Sequence, residues 1–248
     1  MSVLADSIRV GWIDLVYIKR NIPSILVTSL VAPILYLIAF GYGLGSGVVV
    51  EGYDYIAFMI PGVISMSTMT ACFNIVGNKV MMQRVFYESF DELFLCSIKP
   101  SAIILGKTYA GLVRGMISCT VLYAIGLIVT PDMHLTPWAV LLIIGACLTY
   151  SMMGVVAGMF ANSFIKMNLF TSLVITPMTF LSGTLFSLDA MPEVVKYCLT
   201  ALPLTHTTDL IRSSILGSEF PWVSLLVMSI YALVFYGISR YMLTKGRE

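Results

Sequence analysis

His206 and Asp209 stand three residues apart, which on a helix puts an imidazole and a carboxylate on one face. Such a pair could ligate a metal or shuttle a proton, and it carries one reading of the chain: a polytopic membrane enzyme with an outer-face site around His206 and Asp209. The signal is thin. Two ligands lack the third that a metal site needs, His134 is distant in sequence, and no GxSxG-like elbow supplies a nucleophile. Leu105-Gly106-Lys107-Thr108 contains the Gly-Lys-Thr of a phosphate loop. The full loop needs a glycine five residues before Gly106, where Ser101 stands, and residues 102–105 are apolar and helical. A phosphate loop wraps backbone amides around its anion, and a helix cannot, so nucleotide binding is excluded here. The five cysteines (Cys72, Cys96, Cys119, Cys147, Cys198) show no CxxC spacing and read as small apolar residues. No catalytic, cofactor-binding or metal residue is predicted.

The remaining charged pattern lies in residues 83–95. Arg84, Glu88, Asp91 and Glu92 repeat at helical spacing, and Phe86, Phe90, Leu93 and Phe94 make the opposite stripe. A short helix this charged cannot sit in hydrocarbon. It must lie on a membrane face, packed on one side and open to a partner on the other.

Composition sets the surroundings. The chain of 248 residues is 58% hydrophobic and 11% charged, with a net charge of +1 and a mean hydropathy of +0.94. Soluble domains carry about 25% charged residues, so the expected fold class is an all-α polytopic membrane protein. The net charge gives no reason to expect nucleic acid. Residues 1–22 carry Asp6, Arg9, Asp14, Lys19 and Arg20 and lack the apolar core of a signal peptide. They predict an amphipathic helix flat on the membrane, with Leu4, Ile8, Trp12 and Leu15 toward the lipid. The first span then serves as the insertion signal.

Apolar runs predict six spans, at residues 24–44, 55–77, 101–130, 138–161, 169–188 and 221–243. The third run exceeds the bilayer: 30 residues make about 45 Å of helix against about 30 Å of hydrocarbon. Lys107 is therefore expected at the inner headgroups and Arg114 near the inner interface, because an arginine at mid-bilayer costs roughly 2.5–3.5 kcal/mol. Residues 189–217 are too charged to span and are expected as two short helices, 192–201 and 205–216, turning at Pro203 and dipping into the outer leaflet. Glu193, Lys196, Asp209 and Arg212 should stay at the outer surface. Ten lysines and arginines then fall on the side of both termini and only Lys196 and Arg212 on the other. The positive-inside rule puts the termini and residues 83–95 in the cytoplasm. Every Asp and Glu lies in a loop or terminal segment, which argues against ion coupling and for an external energy source.

Two stretches carry a family resemblance. One is Phe90-Asp91-Glu92-Leu93-Phe94-Leu95, Ser97-Ile98-Lys99-Pro100 and Leu105-Gly106-Lys107. The other is Phe180-Leu181-Ser182-Gly183-Thr184-Leu185-Phe186, Leu188-Asp189-Ala190-Met191-Pro192, Leu202-Pro203-Leu204-Thr205-His206 and Asp209-Leu210-Ile211-Arg212. The chain resembles the permease subunit of type-2 ATP-binding cassette transporters, a group that includes drug, polysaccharide and lipo-oligosaccharide exporters. The resemblance covers nearly the whole chain. It implies an interfacial N-terminal helix, six spans in the cell (plasma) membrane, a coupling helix at 83–95 and a re-entrant pair at 189–217. It further implies a second permease copy and ATPase subunits as partners, with ATP and magnesium on the ATPase and no cofactor on this chain. On these positions the ATPase-coupling residues are Arg84, Glu88, Asp91 and Glu92. The inner gate or interface is Lys107 and Arg114. The outer gate is Phe180, Leu185, Pro192, Pro203, Asp209 and Arg212.

Overall fold

The computed structural model describes residues 3–45, 47–87, 89–96, 98–130, 136–188 and 191–245. The turn holding Pro131, Asp132 and His134, the positions Asp189 and Ala190, and Glu88 lie outside them.

Among these residues the fold is all-α apart from one two-residue ladder. Helix α1 (Val3–Arg20) precedes the first span, which is α2 (Ile22–Tyr36) continued by a π-helical stretch, Leu37–Leu44. A hairpin of β1 (Val49–Val50) and β2 (Tyr53–Asp54) follows, with positive φ at Glu51 and Gly52 to make its two-residue turn. Next come α3 (Tyr55–Val85), the short α4 (Ser89–Leu95), α5 (Pro100–Val129) and α6 (Pro137–Phe160). The fifth span is α7 (Phe164–Phe170), a π-turn at Thr171–Ile175, and α8 (Thr176–Leu181). Helices α9 (Glu193–Thr200) and α10 (Pro203–Leu216) precede the last span, α11 (Trp222–Lys245).

Local chemistry explains the boundaries. Thr136 and Ser163 accept hydrogen bonds from Ala139 N and Lys166 N and cap α6 and α7. The cap at Ser163 starts the fifth span at Phe164, so Lys166 sits in its first turn instead of in a loop. Pro177 has no N–H for the carbonyl of Leu173, and the widened turn lies across that gap. Pro203 begins α10 at its first turn, where a missing N–H costs nothing, so that helix starts two residues earlier than expected. Gly217, at φ 72°, closes it in the left-handed conformation.

Among the described residues, six helices are long and apolar enough to cross a membrane. They are not equivalent. The most apolar window of α3 is 83% buried, whereas those of the first, fifth and last spans are 17% buried. Helix α3 is the axis of the bundle. Gly154 and Gly158 of α6, spaced GxxxG, face Gly77 of α3 so closely that a Cβ at Gly158 would stand 2.6 Å from the Gly77 carbonyl oxygen. Around α3 sits a large apolar core including Phe73, Met69, Tyr150 and Ile211. A second cluster joins Ile18, Phe90, Ile103 and Leu243, which brings α1, α4, the start of α5 and the end of α11 to one end of the bundle. We call this the terminal end.

Candidate coupling and gating sites

At the terminal end, α1 lies along α5. Its buried face is Ser7, Val10, Gly11, Asp14 and Ile18, while Leu4, Ile8, Trp12 and Tyr17 are exposed. Gly11 and Gly106 allow the approach: a Cβ on Gly106 would stand 2.7 Å from Ser7 O and 2.8 Å from Val10 Cβ. Asp14 is 1% exposed, and its Oδ1 lies 2.8 Å from Lys79 Nζ and its Oδ2 3.3 Å from Lys107 Nζ. Lys107 is correspondingly buried at 4% exposure. Helix α1 covers Lys107, and a carboxylate offsets the ammonium's desolvation. The Gly-Lys-Thr segment is thus a helix-packing device, with Gly106 as the contact, Lys107 as the ion pair and the Thr108 hydroxyl bonded to Leu105 O at 2.9 Å. Arg114 stands midway along α5, two turns beyond Lys107. It lines a cleft between spans.

The expected single helix over 83–95 is two helices. α3 continues through Val85, and α4 begins at Ser89. At 31 residues α3 runs about 46 Å, longer than the hydrocarbon core, so its last turns and α4 emerge at the terminal end. Arg84 is corrected too. Its guanidinium donates to the carbonyls of Met159 and Ala161 (2.9 Å for the latter) and to Asn162 Oδ1 (2.7 Å). These carbonyls are left open where α6 ends, and a cation is the natural cap there. Arg84 therefore holds α3 to α6 and is not offered to a partner. Phe90 is 1% exposed and anchors α4, with Leu93 packed beside it. Glu92 is exposed, as are Phe86, Tyr87 and Leu95; Phe86 leans on the ring of Phe164 at 5.1 Å. Glu88 and the side chain of Asp91 lie outside the description.

At the opposite end, α10 is buried and α9 is not. Leu204, His206, Thr208 and Ile211 are covered, whereas Val194 and Tyr197 are exposed. Tyr150, fully buried in α6, is hydrogen-bonded to Thr207 at 2.5 Å and reaches Pro203 O at 3.4 Å. Pro192 is exposed at the start of α9. Arg212 does not project to the surface. Its Nη2 donates to Gly183 O at 3.0 Å, and its guanidinium stacks over the Phe58 ring at 3.7 Å. Burial pushes its pKa down to about 10 against the pull of Asp209 and Glu51, so it stays charged at neutral pH. Leu185 is buried and its carbonyl accepts from Tyr55 Oη at 2.8 Å; Ser187 donates to Glu51 on the hairpin. Phe180 meets the ring of Tyr36 edge-on at 6.1 Å. The outer residues thus fall into two groups: Arg212, Asp209 and Leu185 around the turn after α8, and Phe180 one step below, on the first span.

His206 is committed within the fold. Its Nε2 lies 2.7 Å from Thr200 O and its Nδ1 3.0 Å from Ser224 Oγ. With Nε2–H donating to the carbonyl and Nδ1 accepting the hydroxyl, no ring nitrogen is left for a metal or a proton transfer. The residue ties α10 to the end of α9 and the start of α11, which removes the basis of the enzyme reading.

Sequence reasoning missed the Asp14–Lys79–Lys107 cluster, the Arg84 cap and the α3–α6 glycine contact. Only the last had a readable signal, Gly154-x-x-x-Gly158.

An all-α bundle with six membrane-length helices among the described residues, a helix packed at its terminal end and a non-spanning pair at the other is a multi-pass membrane protein. More particularly, the chain belongs to the ABC-2 type transporter family, whose model matches residues 10–216. It is 28% identical over 229 residues to the inner membrane transport permease YadH of Escherichia coli K12, covering 89% of each chain. It is 31% identical over 237 residues to Nodulation protein J of Rhizobium leguminosarum bv. viciae, covering 92% of this chain and 89% of the relative. Nodulation protein J of Rhizobium meliloti strain 1021 is 30% identical over 226 residues, covering 88% and 84%.

Proposed function

We propose that this chain is the permease half of an ATP-driven exporter of an amphipathic or lipid-linked molecule, a drug, glycolipid or polysaccharide. A second permease copy completes the path, and separate ATPase subunits, which hold ATP and magnesium, drive it. The termini and α4 face the cytoplasm, as the lysine and arginine distribution favours. The observation that carries this reading is α4 itself. It is anchored by a buried Phe90 yet displays Glu92 and Leu95 outward, with Tyr87 exposed just before it. Large apolar side chains around an acid, on a short rigid helix outside the bilayer, make a partner surface. ATP binding shifts the permease dimer only through contacts that differ between its states, and α4 is the element placed to make them. At the far end α9 and α10 close the path, with Arg212 holding them to the turn at Gly183.

The test uses the permease purified with its ATPase subunits and reconstituted in nanodiscs. Glu92→Lys with Leu95→Asp should lower permease-dependent ATP turnover about tenfold or release the ATPase, since loss of hot-spot contacts costs 2 kcal/mol or more. The melting temperature of the membrane bundle should not move. Unchanged turnover and unchanged co-purification would remove α4 from the coupling path.

A further inference from the structure

A cleft of about 300 Å³ with polar and apolar walls opens between α2, α3, α5 and the fifth span. Arg114 lines it together with Ser29, Ser67, Thr70, Asn74 and Thr176. Three of these side chains have buried polar atoms without a hydrogen-bond partner: Ser29 Oγ, Ser67 Oγ and Arg114 Nε. Buried polar groups are nearly always satisfied, so three unsatisfied ones converging on one cleft require an account.

The hydrogen-bond bookkeeping supplies it. Thr70 and Thr176 have spent their hydroxyl hydrogens on backbone carbonyls of their own helices, at 3.0 and 3.2 Å. Ser29 and Ser67 have not, and Arg114 Nε has no hydrogen-bond partner among the described residues. The free groups are therefore mainly donors, and one of them is a cation. Among the described residues, no aspartate or glutamate lines the cleft, and the ion pairs involve Asp6 and Asp14, not Arg114. An arginine at mid-helix in a spanning segment is costly without a counter-charge. It contrasts with Lys107, which has one, and with Arg84, which has carbonyls.

We infer that this cleft binds an oxyanion, a phosphate, sulfate or carboxylate group on an amphipathic molecule, with Arg114 as its charged anchor and Ser29, Ser67 and Asn74 as neutral donors. The inference names a substrate class for the export reading and rests on it only for the direction of travel. An oxyanion accepts several hydrogen bonds at once and forms short, charge-assisted ones to a guanidinium. The apolar wall from Pro33, Tyr36 and Phe180 suits the chain attached to that group. The same chemistry has two sources: the carried molecule, or the headgroup of an anionic membrane lipid.

The experiment is a binding titration of dodecyl phosphate against the intact permease–ATPase complex in phosphatidylcholine nanodiscs, without ATP. Wild type should bind, and dodecanol at equal concentration should not match it. Arg114→Gln should weaken binding about tenfold or more, since a hydrogen bond to a charged group is at stake. Arg114→Lys should keep part of the affinity, Ser67→Ala should weaken it less, and Arg240→Gln, at an exposed cation elsewhere, should change nothing. The unliganded Arg114→Gln complex should melt no lower than wild type, because it loses an unpaired charge. Equal affinity for wild type and Arg114→Gln, equal binding of dodecanol, or a lowered unliganded melting point in Arg114→Gln would each overturn the proposal. Nanodiscs containing phosphatidylglycerol separate the sources. Competition with dodecyl phosphate identifies a resident lipid headgroup, and its absence identifies the carried molecule. Because no ATP is used, failure here leaves the coupling role of α4 standing, and failure of that role leaves this binding intact.

Discussion

Replacing Asp14 by Asn keeps the shape of the side chain and removes its charge. In the native protein this carboxylate is 1% exposed and faces two ammonium groups, at 2.8 and 3.3 Å. The two lysines do not respond alike. Lys79 is 23% exposed and lies over the Tyr17 ring, 4.6 Å from its centroid, so it can turn to water at little cost. Lys107 is 5% exposed and cannot. Breaking a buried pair by removing one partner costs about 3–5 kcal/mol, and here the cost falls on the contact between α1 and α5. At 1.4 kcal/mol per factor of ten, α1 should detach at least about a hundred times more often. The assay is hydrogen–deuterium exchange of residues 3–20 in nanodiscs. Asp14→Asn should raise exchange there while leaving residues 55–85 protected. Adding Lys107→Met should restore most of the protection, since an apolar replacement of a buried pair is often neutral. If Asp14→Asn exchanges like wild type, or if the double variant exchanges faster than the single, the pair does not hold α1.

Topology is checked by single cysteines at Lys99, Glu193 and Lys245, all exposed. Impermeant maleimide added to intact cells should label Glu193→Cys only, and labelling of Lys99→Cys and Glu193→Cys from one side would refute the six-span arrangement. Gly62→Ala places a methyl group against the backbone of Thr184, below 3 Å from its Cα. Overpacking of this kind costs about 1–3 kcal/mol. It should displace the turn at residues 182–187, seen as faster alkylation of a cysteine placed at Leu185 with α3 otherwise unchanged.

The six spans and the non-spanning pair were legible because hydropathy and length decide them, and each needs only its own residues. The same local rule misplaced Arg84. Its spacing with Glu92 made a helical stripe, but its partners are carbonyls in another helix, and unsatisfied carbonyls leave no mark in a residue pattern. Asp14 misled in the other direction. It looked like the wet side of a surface helix, and the lysines that meet it are far along the chain in α3 and α5. His206 with Asp209 looked like chemistry, while the ring's true partners, Thr200 O and Ser224, lie on different helices. The π-turns in the first and fifth spans were invisible because hydropathy does not distinguish i→i+4 from i→i+5 bonding. The cleft around Arg114 could not be read for a related reason: it exists only where four elements meet.

The length of α3 has a mechanical consequence. It is one helix of about 46 Å, tied at one end by Tyr55 to the Leu185 carbonyl and at the other by Arg84 to the end of α6. A rod pinned at both ends acts as a lever. Pivoting it by 5° about its Arg84 end would carry the Tyr55 end through an arc of about 4 Å, by the 1.5 Å rise per residue. That displacement exceeds the reach of the Tyr55 hydrogen bond, so a modest tilt started beside α4 either breaks the latch at Leu185 or drags the turn with it. Pro61, near the Tyr55 end, is where the rod can flex and absorb part of the swing.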